Sequence, residues 1–301
     1  MIDLIIDTDV ALGVHHEGRP RDIDDGFAIV EAINAAETNL LGVTCVFGNA
    51  PHEQVYRVAN ELVTLKEVDV PVLTGAERPM TKLDAPTRAA TFLADTLNRG
   101  PATIAAIGPL TNIGLLARHY PEVVSNIEQL VVVAGRSPGR RFFIGDAGPV
   151  RDFNFENDVV AMAAILESGI PLVLAGFELT SQVAVAEQDL QIIRNRGSTT
   201  ARYFYENSLA WCRYWTDTFP ADAGFHPWDS ATISWLRHPE YFTSEARRCR
   251  IAELDGKPVL ECAADTGNEE LAEKGAGITY CAGFTPGGAQ AFVEDVVRHV
   301  F

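Results

Sequence analysis

The chain has 301 residues, 47% of them hydrophobic, which is enough apolar material for a large domain with a sizeable core. Its 41 acidic against 24 basic residues give a net charge of −17, which disfavours non-specific binding to nucleic acid or an anionic membrane and leaves metal ions and small neutral or cationic molecules as partners. There is no run of apolar residues long enough to span a membrane, and the N-terminus enters a strand with no basic leader, so the expectation is a cytoplasmic protein.

Ile2 to Asp9 opens the chain with a short apolar run, Leu4, Ile5 and Ile6, that reads as a buried strand ending at Asp7 and Asp9. A loop with Gly13, Gly18 and Pro20 follows. Its His15, His16 and Glu17 could ligate a transition metal, though adjacent histidines in a polar loop are more often solvated. Asp22 reads as a loop or capping residue. Asp24 and Asp25 then precede an apolar periodic segment (Phe27, Ala28, Val30, Ile33), a helix whose N-terminus favours acidic residues. Leu40 to Phe47 is a second strand, ending in Gly48-Asn49, where Asn49 is either a turn residue or a ligand-binding amide. A helix over Glu53 to Leu65, a strand over Val70 to Leu73 and a helix over Ala89 to Leu97 come next.

Thr103 to Ile107 is a strand running into Gly108-Pro109-Leu110-Thr111-Asn112, where Thr111 or Asn112 can cap the helix Ile113 to Arg118. After the strand Leu130 to Val133, the long loop Gly135 to Arg151 has the length of a lid or binding loop. Asp152-Phe153-Asn154 leads to the helix Val159 to Leu166, and Pro171 to Ala175 is another strand. Val185 to about Trp215 reads as mainly helical, Ala231 to Leu236 as a helix, Arg250 to Cys262 and Gly277 to Cys281 as two strands of a small C-terminal β element, and Gly287 to Val300 as a closing helix. The alternation of strand and helix predicts an α/β fold, a single domain over residues 1–301 with a mostly parallel, doubly wound, Rossmann-like sheet and helices on both faces. The five cysteines are odd in number and lack metal-site spacing, so they read as reduced thiols.

Four carboxylates gathered at one strand end repel one another unless a cation or shared protons neutralise them. In open α/β sheets ligands bind outside the carboxyl ends of the strands. The opening segment therefore predicts a hard-cation site at the mouth of the sheet.

These residues resemble the inosine-uridine-preferring nucleoside hydrolase family, whose N-terminal signature has the form D-x-D-x-x-x-D-D after a strand. Here it is Asp7-Thr8-Asp9 and Asp24-Asp25. The likeness continues through Val46-Phe47-Gly48-Asn49, Pro71 to Pro79, Gly108 to Asn112, Asp152-Phe153-Asn154 and Trp228-Asp229, in family order. The resemblance implies calcium (Ca2+) held by Asp9, Asp25, the Ile107 carbonyl and Asp229, with oxygen ligands that suit this ion. It also implies that Asp9 activates the attacking water, that Asp24, Asn49 and Asn154 hold the ribose hydroxyls, and that Asp7 supports the site from behind. The implied reaction is hydrolysis of a ribonucleoside N-glycosidic bond to ribose and free base, a salvage reaction, in a homodimer or homotetramer.

The chain departs from the family pattern in four places. The segment Val10 to Ile23 is an expanded loop between the two Asp pairs. Asp152 stands where the family has Glu, and Asp146 where it has Asn; both positions normally serve the 5′-hydroxyl side of ribose. Trp228 precedes Asp229 where many members have His. Trp228 is either a core residue at a helix entry or a platform for the leaving base, as in the purine-specific branch, which makes purine nucleosides the favoured substrates. That branch draws a second aromatic wall from the region of Met80 to Ala90, which has no aromatic here; Phe142, Phe143 and Trp211 are candidates to replace it. His226 is a candidate acid, with a structural histidine the plainer reading. Two rival readings stand beside this one. A haloacid dehalogenase-like phosphatase would use a strand followed by Asp-Thr-Asp-Val, but lacks a convincing partner lysine. A nucleoside- or ribose-binding protein without turnover would account for the loop and the changes at Asp146 and Asp152.

Overall fold

The computed structural model describes residues 1–264 and 275–299. Nine strands form one sheet: β1 (Ile2–Thr8), β2 (Thr38–Cys45), β3 (Val72–Leu73), β4 (Ala102–Ala106), β5 (Ile127–Val132), β6 (Leu172–Leu174), β7 (Phe242–Leu254), β8 (Lys257–Ala264) and β9 (Ala276–Phe284). Their spatial order is β8-β7-β9-β6-β5-β4-β1-β2-β3. From β9 to β3 every neighbouring pair is parallel, and β7 and β8 add an antiparallel edge. The C-terminal β element is thus an extension of the main sheet. The segment read as one strand from Arg250 is a hairpin, because Asp255 and Gly256 adopt positive φ (54° and 75°) and turn the chain.

The helices are α1 (Asp24–Asn34), α2 (His52–Leu65), α3 (Arg88–Leu97), α4 (Thr111–His119), α5 (Phe153–Asn157), α6 (Val159–Ser168), α7 (Phe177–Thr180), α8 (Glu187–Asn195), α9 (Thr199–Thr218), α10 (Ser230–Arg237) and α11 (Gly288–Arg298). The closing helix ends within the described residues, and Val300 lies outside them. The sheet separates two apolar cores. One receives α1, α2 and α8 to α11; the other receives α3, α4 and α6. Strand β1 feeds both: Leu4 and Ile6 point into the first and Ile5 into the second, all fully buried. Each such side chain contributes roughly 1.5–3 kcal/mol of transfer free energy. All five cysteines are buried free thiols, as their scatter predicts. No helix among the described residues is long and apolar enough to cross a membrane.

Helix starts follow local chemistry in some places and not in others. Thr87, Asp158 and Ser198 accept hydrogen bonds from the backbone amide three residues on and start α3, α6 and α9. Thr111 and Asn112 do not cap α4. Thr111 Oγ1 donates to Asp158 Oδ2 at 2.6 Å, and Asn112 is drawn to β1.

Candidate active site

The carboxyl ends of β1, β2, β4, β5 and β6 open on one side of the sheet, and the residues after them converge there. Asp9 follows β1, Asn49 follows β2, Ile107 follows β4, Val133 and Ala134 follow β5, and Phe177 follows β6. Asp24 and Asp25 occupy the first turn of α1, and Asp229 immediately precedes α10.

Carboxylate oxygens of Asp24, Asp25 and Asp229 lie within 4.8 Å of one another, a spacing that can hold a metal ion. Asp9 is beside them. Its backbone amide donates to Asp25 Oδ1 at 3.2 Å, and its Oδ2 accepts from the Asn49 amide at 2.6 Å. Thr8 Oγ1 donates to Asp25 Oδ1 at 2.5 Å, and the Asp229 amide donates to Asp24 Oδ2 at 3.0 Å. Asp9, Asp24, Asp25 and Asp229 are all buried. Among the described residues no lysine or arginine pairs with any of them. Asp9 Oδ1 and Asp25 Oδ2 are buried acceptors without a donor. Two glycines permit the packing around Asp9: a Cβ at Gly48 would collide with Asp9 Oδ2, and one at Gly108 would stand 2.9 Å from the Asp9 amide.

Burial and mutual repulsion raise the proton affinity of the whole cluster. Asp9 is pushed well up by burial and then by Asp25; Asp24 by burial, Asp22 and Asp25; Asp229 by burial, Asp24 and Asp25. Asp25 rises to about 6, mainly through burial. Two unit charges about 4 Å apart at an effective dielectric of about 20 repel by about 4 kcal/mol, so the fully ionised cluster needs a cation. Partnerless carboxylate oxygens and an oxygen-only donor set fit a hard divalent ion.

Asp7 is not part of this cluster. It shares the face of Ile5, where its Oδ1 accepts from Thr44 Oγ1 at 2.5 Å and Asn112 Nδ2 at 2.8 Å, and burial raises it to about 7. Asn112 also donates to the Cys45 carbonyl and accepts from the Ala76 amide, tying β1, β2 and the segment after β3 together behind the cluster.

A cavity of about 480 Å³ meets the cluster at Asp229; Asp9, Asp24 and Asp25 do not line it. Asn49, Ile107, Asp152, Asn154 and Asp229 line its polar part, with Asn154 Nδ2 donating to the Ile107 carbonyl at 3.1 Å. Asp152 Oδ2 accepts from the Gly135 amide at 2.9 Å, and burial pushes its pKa up to about 6. The rest of the wall is aromatic. Phe142 stacks on Phe177 (centroids 4.2 Å, 9°), and Phe177 stacks on Trp228 (5.2 Å, 18°). Trp215 meets Trp228 edge-on at 6.4 Å and Trp211 at 5.7 Å.

The long loop expected as a lid is a two-stranded flap, Phe142–Ile144 paired with Ala147–Val150, whose Phe142, Ile144, Pro149 and Val150 line the cavity. Of the candidate aromatics, Phe142 and Trp211 reach the cavity, while Phe143 on the other face of its strand is 49% exposed. Asp146 does not reach it: it is exposed at the flap's turn, because the strand pairing puts Gly145 and Asp146 at the tip. His226 is buried behind Trp228, with one ring nitrogen on the Val183 carbonyl and the other on Asp222. It does not line the cavity. His15 and His16 lie in a small hairpin (His15–His16 with Arg19–Pro20) and join no metal-binding group among the described residues. Phe177, Trp215, Tyr214, Phe219 and Arg19 also line the cavity. Their local sequence gives no sign of this, since separate elements bring them together.

An acid floor suited to a polyol beneath aromatic walls suited to a flat ring, at the carboxyl edge of a parallel sheet, defines an α/β protein that handles a sugar joined to a base. The chain belongs to the inosine-uridine preferring nucleoside hydrolase family, whose model matches residues 4–281. Its reaction is hydrolysis of a ribonucleoside N-glycosidic bond. It is 30% identical over 261 residues to the pyrimidine-specific ribonucleoside hydrolase RihA of Escherichia coli strain K12, covering 78% of this chain and 82% of that protein. Among solved structures, a purine-preferring ribonucleoside hydrolase from Gardnerella vaginalis has the same fold, with a TM-score of 0.82, 19% identity and coverage of 99% of this chain and 98% of that one. An inosine-guanosine nucleoside hydrolase matches with a TM-score of 0.80 and 19% identity over 100% of this chain and 99% of that one.

Proposed function

We propose that the protein is a calcium-dependent ribonucleoside hydrolase, with purine nucleosides favoured, and that the cavity lined by Asn49, Ile107 and Asp229 is its active site. The observation that carries this reading is the pairing of four buried carboxylates, without a cationic partner among the described residues, with an aromatic-walled cavity of about 480 Å³.

Asp9, Asp25, Asp229 and the Ile107 carbonyl would hold the ion, and Asp24, whose carboxylate lies within 4.8 Å of those of Asp25 and Asp229, would accept from a ribose hydroxyl. Calcium bound there would supply charge neutralisation and Lewis acidity toward a water and the sugar hydroxyls. Asp9 is the base: its Oδ1 has no donor among the described residues and can take the proton of the attacking water. Asn49 and Asn154 offer amides to the ribose hydroxyls, and Asp152 supports the 5′ side. The surrounding carboxylates stabilise the positive charge that grows on the sugar as the glycosidic bond breaks. Trp228, held against Phe177, offers an indole wall to the departing base. The extent of that wall supports a bicyclic base, although the RihA relative is pyrimidine-specific.

We further read residues 1–301 as one cytoplasmic domain in a homodimer or homotetramer; the single sheet crossing the described residues supports the domain reading, and sedimentation tests the assembly. The deciding experiment is reducing-sugar release from purine, pyrimidine and nicotinamide ribosides with and without calcium. Calcium-dependent release, greatest for purine ribosides, is expected. Binding of nucleosides without release of sugar would overturn the proposal.

A further inference from the structure

The expanded segment Val10 to Ile23 brings a second arginine, Arg19, to the cavity that Arg151 also lines. Val10, Ala11, Leu12 and Val14 are buried, anchoring the segment in the core. Glu17 and Gly18 adopt positive φ (52° and 76°) and turn the hairpin, in which His16 pairs with Arg19. The Arg21 amide donates to the Val14 carbonyl at 2.9 Å, and Arg21 pairs with Glu17 at 2.5 Å, closing its base. Arg19 is thereby held against α9, where its Nη1 donates to the Tyr214 hydroxyl at 3.3 Å, and it lines the cavity.

Ring contacts connect this arginine to the base platform. Tyr214 stacks on Trp211 at 5.7 Å, Trp211 meets Trp215 at 5.7 Å, and Trp215 meets Trp228 at 6.4 Å. Arg19 therefore stands at the end of the aromatic wall, on the side contributed by α9. The other arginine lining the cavity, Arg151, is engaged: its Nε is 3.3 Å from Glu156 Oε2, and its guanidinium lies over Phe153. Arg19 has a neutral phenol as its hydrogen-bond partner among the described residues, which leaves donors for a ligand.

We propose that Arg19 is a specificity-determining residue for the leaving base: its guanidinium donates to acceptor atoms on the base's outer edge and stabilises the negative charge that the base acquires. When the C1′–N bond breaks, its electron pair goes to the base nitrogen. The water oxygen bonds to C1′, and the water proton goes to Asp9. The charge left on the base spreads over its ring nitrogens and onto its exocyclic oxo groups, where a donor-only cation is worth most. Arginine has no acceptor, so it matches bases with an oxo edge (hypoxanthine, xanthine, uracil) and leaves an amino edge unpaired. The same hydrogen bond is the main cause lowering the Tyr214 pKa.

This inference rests on the cavity being a nucleoside site, and two readouts keep the two claims apart. The first compares kcat/KM of the full-length calcium-loaded wild type, Arg19→Met and Arg19→Lys on inosine, xanthosine, uridine, adenosine, cytidine and 4-nitrophenyl riboside. Arg19→Met should lose about 10- to 100-fold on the three oxo nucleosides, as expected for a lost hydrogen bond to a charged group. Its loss on the amino nucleosides and on the activated riboside should be several-fold smaller, and Arg19→Lys should recover part of the oxo activity. An equal loss on all six substrates, or no loss, would overturn the role of Arg19. The second readout is quenching of tryptophan fluorescence by free hypoxanthine. Should the wild type cleave no riboside, the hydrolase reading fails, and hypoxanthine affinity decides for Arg19 alone: weaker binding in Arg19→Met supports it and unchanged binding refutes it.

Discussion

The aspartates at the end of β1 divide into roles through one property of a strand, the alternation of its side chains. Asp7 shares the face of Ile5 and is held by Thr44 and Asn112, whereas Thr8 shares the face of Leu4 and Ile6 and reaches Asp25 on α1. Asp9, one step beyond the strand, is clear of this pairing and keeps Oδ1 without a donor. Asp9→Asn should therefore lower kcat by about 10³-fold, within the range for loss of a general base, while nucleoside binding persists in a calorimetric titration. Near-normal turnover would remove Asp9 from the chemistry. Trp228→Ala should cost natural nucleosides about tenfold more than 4-nitrophenyl riboside, because stacking assists a poor leaving group most. An equal loss on both would make Trp228 a packing residue, a role its contact with Phe177 also serves.

The two helices that bring Asp24, Asp25 and Asp229 together are locked at their other ends. Glu31 on α1 and Asp295 on α11 share the guanidinium of Arg237 on α10, at 3.0 Å and 2.6 Å. Ser234 donates to Glu31 at 2.9 Å. Glu37 also approaches this guanidinium, at 3.4 Å, so carboxylates outnumber the cation, and burial pushes Glu31 up to about 8 against the pull of Arg237. The folded pKa lies above the ordinary value of 4.5, so the folded state binds a proton there that the unfolded chain releases. That contribution is fully present below about pH 4.5 and is lost as pH rises through about 8. Urea unfolding should show stability falling from pH 5 to 8.5, and Glu31→Gln, permanently neutral, should reduce that fall. A wild-type and variant difference that stays constant with pH would mean that Glu31 is ionised in the fold. Arg237→Met, which strands both carboxylates, should cost about 3–5 kcal/mol.

On the scale of the whole molecule, the acid cluster opposes folding until a cation enters it. Adding calcium should raise the melting temperature, and exhaustive chelation should lower it and abolish turnover together, since an ion that binds the folded state stabilises it by mass action. Activity and melting unmoved by chelation would exclude calcium from the site. The chain's alternating strand and helix pattern, its apolar strand ends and its acid-rich first segment were legible without any fold, because backbone periodicity and turn chemistry are local. The family landmarks were legible for the same reason. By itself the sequence determined the parallel α/β layering, the buried cysteines and the carboxylates that would meet at the sheet's edge. Tertiary structure alone decided the rest. Strand pairing carried Asp146 to an exposed turn, the Asp255-Gly256 turn folded an expected strand back onto the sheet, and packing of the flap, α7 and α9 assembled Phe142, Phe177, Trp211 and Trp215 into one wall. The inserted hairpin placed Arg19 beside Tyr214, 195 positions away, a juxtaposition that depends on burial of Val10 to Val14 and has no local signature.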